Sequence, residues 1–584
     1  MRSRSKPAAV LAVAVTVALA ASACGGGKKD GGDGSSAPAN AAVKDVVNPS
    51  DKKGGTLVFE ASDTPDSFDP GNTYYGFVYN FSRLYARPLT TFPPAAGAEG
   101  NKVVPDLAES LGTPSDGGAT WTYKIRKGLK FSDGTPITSK DVKYAIERSN
   151  FAPEVHSNGP TYLKTYLKDN PGGYQGPYKD KSEEGLKSIE TPDDHTIVFR
   201  LKQPFADFDY LLANPQSAPV PRAKDTGAEY VKNIVSSGSY KFESYQEGKR
   251  AVLVRNEHWD PKTDPLRKQL PDKIIVNFKV NQETIDKNLQ AGKTHVDIVG
   301  NGVGAQTQTK LLSGGKQDPN TDNAQGSRLI YLAINSKVAP FDKLECRQAV
   351  QYAVDKVSAQ TALGGPVRGD IASTLLPPDI PGHQDFDLYP TPGNKGDVNK
   401  AKELLNACGK PNGFETTITA RNDRQGEVDM ATAIQASLKK VGIKVNIQQY
   451  PAGKYFTDYA GVPKWTEKNN VGLMMMQWGA DWPTGFGFLQ QVVDGNAIKE
   501  SGNTNLSQLD DPKVNKLLSD AIANTDTAAR NKAYGEVDKR VMEQAVIVPL
   551  MYFKVLHYRS PEITNVVANP AWSGQYDYLN IGLK

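Results

Sequence analysis

Between residues 8 and 21 the chain is an almost unbroken apolar run, and from Gly25 to about Gly55 large apolar residues nearly vanish. The stretch Gly55-Thr56-Leu57-Val58-Phe59-Glu60-Ala61 reads as a first strand, closed by the turn-rich residues 62–70. Tyr74, Tyr75, Phe77, Tyr79, Phe81 and Tyr85 follow, an aromatic density that fits a helix packed on a sheet or the wall of a cleft. Trp121, Tyr123 and Ile125 alternate with polar residues, as a half-buried strand does. Ser132-Asp133-Gly134 is a turn, and Thr138 with Asp141 three residues on resembles a capping box opening a helix over 141–148. Helical periodicity returns over 343–356 and 398–408. In Leu473 to Leu489, Met474, Met475 and Met476 predict a short buried strand, which Gly479 and Pro483 end. A last strand is expected over 546–555, with a sheet-like tail behind it, and there are no internal repeats.

The chain has 584 residues, room for roughly three to four domain-sized units. Hydrophobic residues make up 38% and the mean hydropathy is −0.50, so a soluble globular body is expected after the N-terminus. The apolar run at 8–21 follows a basic start (Arg2, Arg4, Lys6) and is too short and alanine-rich for a good spanning helix. It ends in Ala21-Ser22-Ala23-Cys24, which resembles a bacterial lipoprotein signal, with Ala21 where leucine is usual. That resemblance implies a signal peptide over 1–23 and a lipid on Cys24; the alternative is an ordinary secretory signal with an incidental cysteine. Residues 24–54 then read as a flexible tether, too poor in apolar side chains to bury a core. Of the formal charge of +4, +3 sits on Arg2, Arg4 and Lys6, and the +1 that remains makes no electrostatic case for nucleic acid. Cys346 and Cys408 are left, and outside the cytoplasm two thiols suggest a disulfide.

Chemistry concentrates in Trp478-Gly479-Ala480-Asp481-Trp482, an acid between two indoles at a strand-to-loop junction. A carboxylate walled by aromatics suits an ammonium ligand, through a charge-assisted hydrogen bond and cation–π contact. On this motif alone the plainer alternative stands beside it: both tryptophans in the core and Asp481 capping the next turn. No catalytic constellation emerges. The six histidines are scattered beyond helical reach of one another, against a zinc site of short spacing. There is no G-x-x-x-x-G-K-S/T and no G-x-S-x-G, and Gly300-Asn301-Gly302-Val303-Gly304 reads as a loop. No cofactor or metal is expected.

The longest distinctive stretch runs from Val104-Pro105-Asp106-Leu107-Ala108-Glu109-Ser110-Leu111 through Trp121-Thr122-Tyr123-Lys124-Ile125-Arg126-Lys127-Gly128-Leu129-Lys130-Phe131-Ser132-Asp133-Gly134-Thr135-Pro136 to Asp141-Val142. It resembles the signature region of the extracytoplasmic solute-binding proteins of peptide and nickel ABC transporters. Further stretches match the same family in order: Thr196 to Leu201, Ser237-Gly238-Ser239-Tyr240, Arg255-Asn256-Glu257-His258-Trp259, Leu289 to Asp297, Pro340-Phe341-Asp342 and Arg347-Gln348-Ala349 to Asp355-Lys356.

The resemblance implies an α/β, two-lobed periplasmic-binding-protein-like fold, type II and of the large peptide-binding class. Lobe I is expected over 55–328 with an extra subdomain at about 86–215, lobe II over 329–549, and a return to lobe I over 550–584. In peptide-binding members the acid of a W-x-x-D-Y/W segment accepts the ligand's α-ammonium, which assigns Asp481 that role, with Trp478, Ala480 and Trp482 on the site wall. Dipeptide binders also place an arginine just before the helix that begins near Met430; here Asp429 stands there, with Arg421 and Arg424 close by, so longer peptides fit better. The implied function is a monomeric, lipid-anchored receptor on the outer face of the cytoplasmic membrane. It captures oligopeptides by lobe closure and delivers them to a permease driven by separate ATPase subunits. The alternatives are the same fold taking a metal chelate, sugar or other organic cation, or a secreted hydrolase.

Overall fold

Alternation in Thr56–Glu60 buries Leu57 and Phe59 and makes β1, an inner strand of the first sheet, in a computed structural model that describes residues 37–168, 173–180, 182, 184–422 and 424–584. The chain then leaves this sheet for a second, small antiparallel one: β2 (Thr113–Ser115), β3 (Thr120–Lys124), β4 (Ile189–Asp193) and β5 (Thr196–Arg200), in the order β2-β3-β5-β4. Trp121, Tyr123 and Ile125 point into its core. Beside it lies α1 (Ser139–Phe151), whose Thr138–Asp141 capping box is formed. Returning, the chain adds β6 (Tyr240–Gln246), β7 (Arg250–Arg255), β8 (Lys273–Asn277) and β9 (Val296–Asp297), giving the order β9-β1-β8-β7-β6.

A long strand, β10 (Thr321–Ile334), leads out of that sheet's core and into another. Its first half packs with β1's core through Ala324, and its second half joins the six-stranded sheet β11-β15-β10-β14-β12-β13. There β11 is Gly369–Ile371, β12 Glu415–Arg421, β13 Lys444–Tyr450, β14 Val471–Gly479 and β15 Ile547–Tyr558. β15 pairs antiparallel with β10 and carries the chain back. The pairing of β10 with β15 breaks between Gln325 and Leu329, where Ser327 adopts a positive φ of 48°. Two crossing strands with a bulge at the crossing make a two-lobed α/β fold. The methionine run is longer and more central than its three residues suggested, because β14 is fully buried from Val471 to Met476 between β10 and β12.

The helical periodicity over 343–356 resolves into α2 (Leu344–Ala353) and α3 (Lys356–Leu363), with Asp355 capping the second. α4 spans Val398–Ala407. The structure joins Cys346 on α2 to Cys408 just past α4, Cα atoms 5.5 Å apart, inside a buried core.

The signal segment, Cys24 and the tether as far as residue 36 lie outside the described residues. The rest of the expected tether is docked. Asn40 meets Gln317, the amide of Ala42 donates to Asp322, and Val47 bridges to Val566. These links are made by backbone and amide groups and by small apolar residues, which composition does not register.

Around Asp106 of the Pro105-Asp106-Leu107 motif, the first lobe buries a charge network. Arg87 Nε donates to Asp106 Oδ1 at 2.8 Å and Arg267 Nη2 to Asp106 Oδ2 at 2.6 Å, with all three side chains essentially inaccessible. Burial alone pushes the neighbouring Asp264 carboxyl up, but Arg267 and Arg87 hold it well below the usual carboxylate range. Removing one partner of such a network leaves buried charge uncompensated. Asp106→Ala is therefore expected to cost about 3–5 kcal/mol of stability, measured as a lowered urea midpoint; a loss under about 1 kcal/mol would show that the network is not structural.

Candidate functional site

A cavity of about 960 Å³ opens between the sheets, at the upper end of the roughly 300–1,000 Å³ typical of ligand sites. One wall comes from the first lobe: Tyr74, Tyr75, Phe77 and Tyr79, the loop Val299-Gly300-Asn301, and Trp572. The other comes from the ends of the six-stranded sheet, including Gln477 to Pro483 on and after β14.

The aromatic cluster at 74–85 serves both of the purposes its sequence allowed. Phe81 and Tyr85 pack beneath β1, with the Phe59 and Phe81 rings 5.6 Å apart, while Tyr74 and Tyr75 face the cavity.

β14 ends at Gly479, and the chain turns so that Asp481 points across the gap. Its amide donates to Gly487 O at 3.0 Å, which fixes the backbone against α5 (Gly485–Val493). Its Oδ1 accepts from Tyr74 Oη at 2.7 Å, and Tyr74 Oη lies 2.6 Å from Tyr162 Oη. Tyr74 comes from the first lobe, Tyr162 from the segment around the small sheet and Asp481 from the other lobe, so the carboxylate sits where three parts of the fold meet. Asp481 does not cap the following helix; Thr484 does, through Gly487 N.

Desolvation in the cleft pushes the Asp481 carboxyl up to about 6, against the lowering pull of Tyr74, Tyr162 and the Lys499 charge. Burial and the Asp481 charge push the Tyr74 and Tyr162 hydroxyls well above their usual value, so both remain donors. The site is a nearly bare carboxylate held by two phenols, an arrangement that gains by receiving a cation.

The flanking indoles divide. Trp478 is half-buried on the cavity wall, its Nε1 donating to Phe488 O at 2.8 Å. Trp482 is 5% exposed and packs in the seam with the small-sheet region. Its Nε1 donates to Asp207 Oδ2 at 2.9 Å, and its ring meets Tyr162 edge-on at 5.5 Å. Trp482 still lines the cavity, and the aromatic partners of the acid are the tyrosines. Ala480 lies on the wall.

Of the two arginines near Asp429, Arg421 is committed elsewhere: its Nη2 donates to Glu427 Oε2 at 2.6 Å. Arg424 lines the cavity and is oriented by Gln477 at 3.3 Å. Arg328 and Arg368 also line the cavity, and sequence reasoning passed over both. Tyr74 carried a signal in the aromatic cluster; Tyr162 carried none, being remote in sequence from every motif. Among the described residues no group of three or more His, Cys, Asp or Glu could hold a metal ion, and no helix is long and apolar enough to cross a membrane.

Residues 102–500 match the model of the bacterial extracellular solute-binding proteins, family 5. The fold superposes with a TM-score of 0.90 on the solved structure of clavulanic acid biosynthesis oligopeptide binding protein 2, at 43% identity over 94% of this chain and 99% of that one. The probable D,D-dipeptide-binding periplasmic protein of Escherichia coli K12 is 27% identical over 88% of this chain and 92% of its own length. Heme-binding protein A of Haemophilus influenzae is also 27% identical, over 88% and 90%.

The raised carboxyl sets a pH dependence. A bound ammonium stabilises only the ionised form of Asp481, so affinity is full above about pH 6 and falls as the acid protonates below it. The dissociation constant of an amine ligand is expected to rise about tenfold between pH 7 and pH 5, read by calorimetry; a flat profile would mean that the acid does not hold the amine.

Proposed function

The chain belongs to family 5 of the bacterial extracellular solute-binding proteins, and from that premise we propose that it captures oligopeptides outside the cytoplasm for an ABC importer. A lipid on Cys24 would hold it at the outer face of the cytoplasmic membrane, where a monomer hands its ligand to a permease served by ATPase subunits. The observation that carries the peptide reading is the desolvated Asp481 carboxylate facing a cavity large enough for more than an amino acid. Asp481 takes the ligand's α-ammonium between Tyr74 and Tyr162, and Trp478 supplies apolar wall. The rest of the affinity comes from main-chain hydrogen bonds, which leave side chains largely unread. Closing the lobes removes water from the Asp481 contact and strengthens it.

The task is binding rather than turnover. The cavity wall holds serines but, among the described residues, no histidine, cysteine or lysine to activate a nucleophile. The relative named as a heme-binding protein supports a second reading, the same closing cleft around a non-peptide solute. Mass spectrometry of the ligand released on denaturing protein from its native source separates the two.

Asp481→Asn keeps the shape and removes the charge. It is expected to weaken peptides with a free amino terminus by about tenfold to a hundredfold, and N-acetylated peptides far less. Calorimetry showing equal losses for both would take Asp481 out of this role.

A further inference from the structure

The loop that carries Asp481 is held from outside its own lobe. Asp207 follows the small sheet, and its side chain is fully buried in the seam with the second lobe. Its Oδ2 accepts from Trp482 Nε1 at 2.9 Å and from Thr484 Oγ1 at 2.5 Å. Thr484 Oγ1 in turn accepts from Gly487 N at 3.1 Å, and Gly487 O accepts from the Asp481 amide at 3.0 Å. Hydrogen bonds thus run from Asp207 through Thr484 and Gly487 to the backbone of Asp481. The turn has no slack, because a Cβ on Gly487 would come within 2.3 Å of Trp482 O. Among the described residues, every hydrogen bond to the Asp207 carboxylate comes from across the seam.

The region that supplies Asp207 also supplies Tyr162. The helix Tyr162–Tyr166 is tied to the chain just before Asp207: Lys168 N donates to Arg200 O at 2.8 Å, and Lys202 N to Tyr166 O at 2.9 Å. The Tyr166 and Phe205 rings lie 4.2 Å apart. Tyr162 and Asp207 are therefore parts of one piece, against which the Asp481 loop must be placed. Apolar contact across the seam, such as Phe205 with Trp482 at 6.2 Å, has no direction of its own. Two hydrogen bonds to one carboxylate oxygen do. The arrangement carries a cost. Asp207 Oδ1 stands 3.5 Å from Arg530 Nε, and neither atom has a hydrogen-bond partner among the described residues. Desolvation raises the Asp207 carboxyl against the lowering pull of Thr484, Arg530 and Trp482. A buried ion pair left half-made adds little stability over apolar side chains of the same shape; what it can supply is register.

We propose that Asp207 is a positioning residue for the amine subsite: through Trp482 and Thr484 it holds the Asp481 carboxylate where Tyr74 and Tyr162 meet, and so sustains a preference for ligands with a free amino group. This rests on Asp481 receiving that amino group. An acid displaced from its phenols regains water, and a hydrated carboxylate gains less from an ammonium than a desolvated one. Contacts between the rest of the ligand and the other parts of the wall are left as they were.

The test is calorimetry on the full chain with trialanine and N-acetyl-trialanine. The unaltered protein is expected to bind trialanine at least about tenfold tighter. Asp207→Asn should cut that preference about tenfold by weakening trialanine while N-acetyl-trialanine holds. A residue that only stabilises the fold would weaken both peptides together, or lower the urea midpoint and neither affinity. Trp482→Phe keeps an aromatic ring and every charge and removes one of the two hydrogen bonds, so it should cut the preference about threefold. It decides the matter if Asp207→Asn does not fold. A preference that survives in folded Asp207→Asn, or in Trp482→Phe where only that variant folds, overturns the role of Asp207 and leaves Asp481 in its own. If the unaltered protein shows no preference, or binds neither peptide, Asp481 fails as the amine's partner and the role of Asp207 falls with it.

Discussion

A carboxylate taken out of water must find a positive partner, accept enough hydrogen bonds to replace its hydration, or give up its charge. Asp481 is held in the middle of those choices. It has one phenol at 2.7 Å and a second behind it, and desolvation still holds its carboxyl at about 6. The protein therefore keeps a group whose most favourable state requires something absent from its own sequence. Because its phenolic partners come from other parts of the fold, a cation arriving at Asp481 is contacted from three sides only when those parts are together. In the proposed function, one electrostatic requirement thereby couples ligand capture to lobe closure.

That coupling needs parts that move as bodies. The buried network of Arg87, Arg267, Asp106 and Asp264 ties segments of the first lobe that are far apart in sequence. The bond between Cys346 and Cys408 does the same on the other side of the crossing. Between them the chain passes along β10 and β15, whose pairing is interrupted at the bulge from Gln325 to Leu329. Deformation concentrates where backbone pairing is broken and the lobes' own cores do not reach. The bulge also bends β10 just before Arg328, so the crossing point and the cavity wall are set by the same few residues.

The elements with strong local signals were legible in the sequence. The alternation of Trp121, Tyr123 and Ile125, the Thr138–Asp141 box and the ordered family motifs each matched a recurring physical pattern, and the two-lobed fold followed from them. The acid of Trp478-Gly479-Ala480-Asp481-Trp482 was visible because an ionisable group between two indoles is rare. Its partners were not. Tyr162 is 319 positions away by its number in the chain, and only tertiary packing brings it near. Trp482 looked equivalent to Trp478, yet the seam with the small sheet claims it through Asp207 and Phe205. Residues 37–54 looked like loose tether because their docking is by backbone and amide groups, which leave little trace in composition.

The arginines on the cavity wall were hidden for a related reason. Arg328, Arg368 and Arg424 lie on three separate segments, each ordinary by itself, and become a cluster only through the strand order β11-β15-β10-β14-β12. Charge counted along the chain gives near neutrality and predicts no electrostatic preference. Charge placed in the fold gives a cleft wall with Asp63, Glu427 and Asp481 on it together with Arg328, Arg368, Arg421 and Arg424. Main-chain hydrogen bonding to a bound peptide is indifferent to side chains, so any discrimination must come from groups beyond that ladder. Arg328 is one such group, a charge on the cavity wall that the described fold leaves without a partner.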